Sequence, residues 1–314
     1  MLGRLNPERF LGGEMRLDVA AAERALEEKI ADKLHMDVRS AADGILRIAA
    51  TTMSYAVKGV TTERGLDAGD FVLVAYGGAG PLHAVQVARE IGIAKVIIPN
   101  APGVFSAFGM LFADLRYDSV RTSLMRLEDA SFAHIEEVYG ELEQQGRDAI
   151  AATSVTPHKI SISRAADMRY VGQEHAVTVD LPLRVFAKQD RAAIKRHFDD
   201  MHALRYGTSA PDERAEIVSL RSTVTGLMRK PPQRKLPRGT ATPPKGAFVA
   251  RRPVYFGGAF RSTPTFSRAE LRAGNRIKGP ALIEEHASTT VLMPGDALIV
   301  DAFGNLVINV GRTE

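Results

Sequence analysis

Residues 70–114, DFVLVAYGGAGPLHAVQVAREIGIAKVIIPNAPGVFSAFGMLFAD, decide the fold class. The apolar run Phe71–Tyr76 is short and β-branched, which predicts a buried strand. Gly77-Gly78-Ala79-Gly80 then makes a turn of small residues, and Pro81 opens a helix, where its missing N–H has no intrahelical partner to lose. Leu82, Val85, Ala88 and Ile91 follow at helical spacing, Gly92 stops the helix, and Lys95–Ile98 reads as a second strand. Strand, glycine turn, helix, strand is an α/β unit whose parallel strands require a right-handed crossover. Glycines in such a turn let a ligand approach the backbone, and the helix start offers N–H groups without intrahelical partners.

The turn alone is equally served by a tight connection that binds nothing. It is not a P-loop, because no Gly-Lys-Ser/Thr follows, and glycines at 77, 78 and 80 miss the G-x-G-x-x-G spacing of a Rossmann fingerprint. The longer text is more specific. YGGAGPLHA followed by IPNAPGVFSAFGMLFAD resembles the hydantoinase A and oxoprolinase family, which includes N-methylhydantoinase A and subunits of acetone-type carboxylases. LGRLNPERFLGGEMRLD (Leu2–Asp18), DMRYVGQEHAVTV (Asp167–Val179) and GPALIEEHASTTVLMPGD (Gly279–Asp296) resemble further segments of that family, in the same order.

The resemblance implies a fold similar to the actin, sugar-kinase and chaperone ATPases, here as a half-domain followed by a β-rich C-terminal module. In that superfamily a glycine pair before a helix packs against the adenosine of ATP. By that analogy Gly77, Gly78, Ala79 and Gly80 line the adenosine side of a nucleotide cleft. His83 matches the histidine of the family's GGxGPxHA text, which implies a nucleotide or interface contact. The implied reaction is ATP-driven opening of a cyclic amide such as hydantoin or oxoproline, with ATP and Mg²⁺ as cofactors. The alternatives are an ATP-dependent ketone carboxylase subunit of the same family, or an interaction fragment without catalysis. A free-standing Rossmann-like binder is a weaker reading.

Such ATPases hold phosphates in two hairpins of the type D-x-G-x-T, whose N–H groups cradle the oxygens while the carboxylate organises magnesium. This sequence has none; Asp67-Ala-Gly-Asp70 lacks the threonine. The expectation is a C-terminal half that needs a missing N-terminal ATPase half and a B-type partner subunit. Exposed apolar surface is expected where that half would pack.

The 314 residues suffice for two domains, and 45% hydrophobic with 25% charged residues is ordinary for a globular protein. Much of the +4 net charge lies in Arg229–Lys245, with no aromatic residues to stack bases, so nucleic-acid binding is not indicated. With no cysteine, disulfides, thiolate metal sites and cysteine nucleophiles are excluded. The opening MLGRLNPERF has no apolar core of a signal peptide, and no run reaches the roughly 20 residues of a membrane span. A cytoplasmic location is expected.

Composition divides the chain into 1–128, the ATPase part with the glycine turn; 129–228, an α+β region; 229–247, a Pro-rich basic linker; and 248–314, a small β-rich module. Asp18 is a plausible cap for a helix with Val19, Ala22, Leu26, Ile30 and Leu34 on one face. Ser40 starts a second, with Ala41, Ile45, Ile48, Thr52 and Tyr55 aligned. The run after Gly103 is a helix or a buried loop, in which Ser106, Ala107 and Gly109 fit close packing. Strands are read at 115–127, 159–170, 176–181 and 216–228, and helices at 131–150 and 190–206, the latter burying Ala193, Phe198, Met201 and Leu204. Short strands follow at 252–256, 281–284, 289–292, 297–300 and 306–310.

Asp114 and Asp118 fall on one strand face, where paired carboxylates can bind magnesium or move protons. Arg169 and Gln173 in the DMRYVGQ stretch are candidates for substrate binding. Arg169 suits a carboxylate or phosphate and Gln173 an amide, or they pin one segment to another. His175 departs from the family motif. His197 and His202, five apart, are badly spaced for a shared metal, and Glu284 with His286 lacks a third ligand. No metal site and no catalytic residue is assigned.

Overall fold

Asp18 and Asp37 start the first two helices, each by accepting backbone N–H groups with its side chain. The structure, a computed structural model, describes residues 1–311. Helix α1 runs Val19–Leu26 and α2 runs Val38–Val60. Asp37 caps α2, taking bonds from Arg39 and Ser40, so the helix starts ahead of the expected Ser40. Of the expected apolar face of α2, Ala41 is buried, but Ile45, Ile48, Thr52 and Tyr55 are exposed. Ala42, Ala50 and Ser54 are also buried. Small residues let α2 approach the helix after the glycine turn, and that close approach outweighs burial of the larger side chains.

Strand β1 is Leu73–Val74, α3 is Gly80–Glu90 and β2 is Lys95–Ile98, and β1 pairs with β2 in parallel as expected. The apolar run is not a buried strand, however. β1 is short and lies at the sheet edge, and Phe71, Val72, Val74 and Tyr76 are 44–52% exposed. After a 3₁₀ turn at Pro102–Val104, α4 (Phe105–Met110) has no buried residue, and a side chain at Gly109 would meet open space. Of the two readings of this run the helix is found and the buried loop is not, and Gly109 shows no close packing among the described residues.

Residues 1–109 with 232–311 group as one compact unit and residues 110–231 as a second. The first unit has two sheets. One has the order β1-β2-β13-β12-β9, with β9 Arg276–Lys278, β12 Ala297–Val300 and β13 Leu306–Asn309. The other has the order β11-β10-β8-β7, with β7 Phe248–Phe256, β8 Ala259–Ser267, β10 Ala281–Glu285 and β11 Ser288–Leu292. The C-terminal strand β13 lies antiparallel against β2, with Ile308 opposite Val96. Composition sets 248–314 apart as a module, whereas strand pairing joins its described part to residues 73–98; positions 312–314 lie outside the described residues. One core runs through Ala84, Val85 and Ala88 of α3, Val96, Ile98, Ile283, Leu292 and Ile308. A smaller one joins Val254, Phe256, Leu282 and Val291, with Leu82 against it.

The second unit is a four-stranded antiparallel sheet, β3-β6-β4-β5, with β3 Leu115–Arg126, β4 Lys159–Tyr170, β5 Val177–Leu181 and β6 Ala215–Leu227. Helices α5 (Phe132–Ala151), α6 (Leu183–Ala187) and α7 (Arg191–Tyr206) complete it, with a core through Ile135, Tyr139, Met168, Ile194, Phe198 and Ile217. In α7, Phe198 is buried as expected but Leu204 is 80% exposed, and Ile194 takes its place in the core.

Candidate functional site

Three stretches far apart in the chain converge in the first unit around a cavity of about 390 Å³. Leu5, Asn6, Arg9, Phe10 and Leu11 form one wall, Gly78, Ala79 and Leu82 a second, and the β10–β11 turn, Glu284–Thr289, a third. Most of the lining is apolar, and the volume suits a small-molecule site.

The glycine turn is shaped by this turn of the protein itself. Gly77 has φ +88° and donates its N–H to Pro102 O at 2.8 Å, closing the connection from β1 to α3. A Cβ at Gly78 would lie 3.2 Å from Ala287 O, and one at Gly103 would lie 2.9 Å from Ala287 Cβ. The small residues therefore let the β10–β11 turn close against the loops flanking β1 and β2.

Two arginines hold the carboxylates of that turn. Arg252 on β7 donates to Glu284, and also to Gly3 O at 2.8 Å and Arg4 O at 3.1 Å, so it ties the N-terminal segment to the sheet. Arg268 donates to Glu285 Oε1 at 2.9 Å, and its other amino group reaches the carbonyls of Ile98, Pro99 and Gly304 at 2.7–3.1 Å. Burial pushes the Glu285 carboxyl above the usual carboxylate range, against the pull of Arg268. At the rim, His286 Nε2 lies 3.0 Å from Glu14 Oε1.

Of the residues expected at a nucleotide, Gly78 and Ala79 line the cavity, while Gly77, Gly80 and His83 are not among its lining residues. His83 lies in the first turn of α3. Its Nδ1 is buried without a partner among the described residues, and burial, then the charge of Arg4, push the imidazole down. Arg169 and Gln173 belong to the second unit. Arg169 is engaged by Glu216 at 2.7 Å and also donates to Glu174 O, and Gln173 is exposed at the β4–β5 turn. Asp114 accepts from Met228 N and Lys230, whereas Asp118 accepts from Arg116 and Thr223, so the two carboxylates serve separate ion pairs. Lys230 and Arg116 hold them below their ordinary range. His202 Nδ1 faces Thr208 O at 2.6 Å. Among the described residues no group of three or more His, Cys, Asp or Glu is placed to hold a metal ion.

Arg9, Phe10, Glu285 and Ser288 also line the cavity; in the sequence they stand within the family-like segments Leu2–Asp18 and Gly279–Asp296, where local pattern gives them no role. Their shared signal was membership of motif text at both ends of the chain.

Residues 1–119 match the family model described as hydantoinase/oxoprolinase, and residues 125–308 match its C-terminal domain model. Caprolactamase subunit alpha of Pseudomonas jessenii is 32% identical over 93% of this chain and 42% of its own length. Acetone carboxylase beta subunit of Xanthobacter autotrophicus is 30% identical over 94% of this chain and 43% of its own length. A nucleotide-free structure of acetone carboxylase superposes with a TM-score of 0.84 at 26% identity, over 98% of this chain and 45% of that one. The chain thus spans less than half the length of these relatives, and its α/β fold with mixed sheets is similar to theirs.

Proposed function

We propose, since the chain belongs to the hydantoinase/oxoprolinase family, that it supplies the adenosine wall of an actin-like ATPase that opens a cyclic amide. The observation that carries this reading is the convergence of three family-like segments on one apolar cavity beside Gly78-Ala79. An apolar cavity of this size suits a nucleoside. A polyphosphate needs a cradle of N–H groups and a carboxylate-bound magnesium.

That phosphate machinery is assigned to a separate ATPase segment carrying the D-x-G-x-T hairpins, and the ring-opening to a complex with a B-type subunit in the cytoplasm. ATP supplies the phosphoryl group that turns a poorly reactive amide oxygen into a leaving group. Ketone carboxylation is the second reading, favoured by the TM-score of 0.84 to acetone carboxylase.

Equilibrium dialysis of the full chain against labelled adenosine and ATP tests the assignment. Both are expected to bind with similar affinity, because the phosphates find no cradle here. Ala79→Leu, which fills the cavity from the exposed start of α3, is expected to abolish both. Retained binding in that variant overturns the adenosine assignment. Adding the ATPase segment, then a lactam or a ketone with bicarbonate, separates the two reactions.

A further inference from the structure

A second cleft of the first unit, of about 480 Å³, shares no lining residue with the cavity beside Gly78. Arg4 of the N-terminal segment lines it, with Asp43 and Arg47 one turn apart on α2 and Arg89 and Glu90 at the end of α3. Both signs of charge are present, and they are not paired off. The Arg4 side chain is only 6% exposed, yet its one ion pair among the described residues is a single bond to Asp43 at 3.3 Å. Its Nε is sealed without a partner among the described residues, while its Nη1 is neither bonded nor sealed. Burial pushes this guanidinium below its ordinary value, and Asp43 offsets only part of that. Arg89 is engaged by Asp296 at 2.8 Å and by the carbonyl of Gly311. Arg47 and Glu90 are exposed, and neither side chain has a hydrogen-bond or ion-pair partner among the described residues, each other included.

We propose that this cleft binds a small amino-acid zwitterion, with its carboxylate on Arg4 and Arg47 and its ammonium on Glu90. A buried guanidinium with unspent N–H donors asks for oxygen acceptors, and a carboxylate meets its planar fork with two. The same cleft disfavours simple ions. Asp43 and Glu90 repel a phosphate or other multiply charged anion, and the arginines repel a lone ammonium. With Asp296 on Arg89, three arginines stand against three carboxylates. A neutral ligand with separated charges therefore leaves no charge uncompensated. Arg47 and Glu90 make no pair with one another, so no ion pair of theirs is broken to admit it. None of this depends on a nucleotide in the other cavity.

Isothermal titration of the full chain with matched probes of two lengths tests this. Glycine is compared with acetate and methylamine, and 4-aminobutyrate with butyrate and butylamine, so that each partner probe lacks one of the two charges. For one length the zwitterion is expected to bind roughly tenfold or more tightly than either partner, as for a hydrogen-bonded charge. Arg47 and Glu90 are exposed, so Arg47→Gln and Glu90→Gln keep the fold. Glu90→Gln is expected to remove the advantage over the acid, and Arg47→Gln to reduce the advantage over the amine. Arg4→Lys, which keeps the charge but not the fork, is expected to weaken the zwitterion and the acid alike. Undiminished preferences in both glutamine variants overturn the proposal, as does equal binding of zwitterion and acid by the wild type at both lengths. Tighter binding of inorganic phosphate than of either zwitterion would make this a plain anion site and overturn it too. No binding of any probe overturns it outright, and adenosine binding measured alongside reports separately on the other cavity.

Discussion

A side chain at Gly78 would meet the carbonyl oxygen of Ala287 at 3.2 Å, so the glycine turn before α3 and the β10–β11 turn are fitted to one another. Loss of ligand binding in a Gly78 variant would therefore not by itself report a ligand contact. Gly78→Val is expected to destabilise the fold by about 1–3 kcal/mol through overpacking, read as a lower denaturation midpoint without any nucleotide. Gly80 is the control. Its nearest non-neighbouring atom to an added Cβ is 3.8 Å away, so Gly80→Ala should stay within about 0.5 kcal/mol of wild type. Equal stability of the two variants would show that the turns are not in tight contact.

Arg268 satisfies Glu285 and three backbone carbonyls from a site where its side chain is only 6% exposed. Removing it strands a buried carboxylate and three acceptors at once. Arg268→Ala should cost about 3–5 kcal/mol, and Arg268→Lys should recover only part, because an ammonium cannot span the same fork of partners. Urea unfolding of both variants checks the order. A lysine variant as stable as wild type would mean that charge alone, and not the planar fork, is what the site requires.

The elements around the glycine turn were legible because their signals are local: an apolar run, a small-residue turn and helical spacing at Leu82, Val85 and Ala88. The partner of β13 was not, because nothing in Leu306–Asn309 says that it lies beside Lys95–Ile98, some two hundred positions earlier. Strand β8 was missed since AFRSTPTFS carries a proline and several polar residues and lacks clean alternation. The outward stripe of α2 misled for the opposite reason. Ile45, Ile48 and Tyr55 form a good apolar face, but a helix that must approach another closely turns its alanines inward. The cavity was legible only as separate motif segments, and their meeting is a property of the tertiary fold.

Two segments, one in each unit, are expected to respond to acid in opposite directions. In the first, burial pushes Asp296 and Glu285 up, although Arg89 and the N–H groups of Gly311 and Met293 oppose this at Asp296. A carboxyl raised in the folded state binds its proton more tightly there than in the unfolded chain. Its contribution to stability therefore falls as pH rises from the ordinary carboxylate value through the folded one. In the second unit, Asp114 and Asp118 are lowered, so their contribution is lost as pH falls below the ordinary value. Hydrogen exchange of peptides over 281–300 and 115–126, followed from about pH 6 to about pH 3, should show protection growing in the first before it fades in the second. A parallel loss of protection in both peptides across the whole range would contradict the assignment.

Strand β1 leaves one edge of its sheet without a strand partner among the described residues, since it bonds only to β2. Val74 of β1, and Phe71, Val72 and Tyr76 in the chain flanking it, are each 44–52% exposed. A bare, apolar edge strand is a template for a further strand, and proteins commonly guard such edges with lysine or proline. The chain on its own is therefore expected to self-associate through β1. Val74→Lys places a charge on the edge at a half-exposed position, so stability should change by less than about 0.5 kcal/mol while association weakens. Sedimentation velocity over a concentration series reads the second effect and thermal unfolding the first. If the lysine variant associates as wild type does, the contact lies elsewhere. The exposed stripe Ile45, Ile48 and Tyr55 on α2 is then the next surface to charge, since it is a further apolar face that the first unit leaves open.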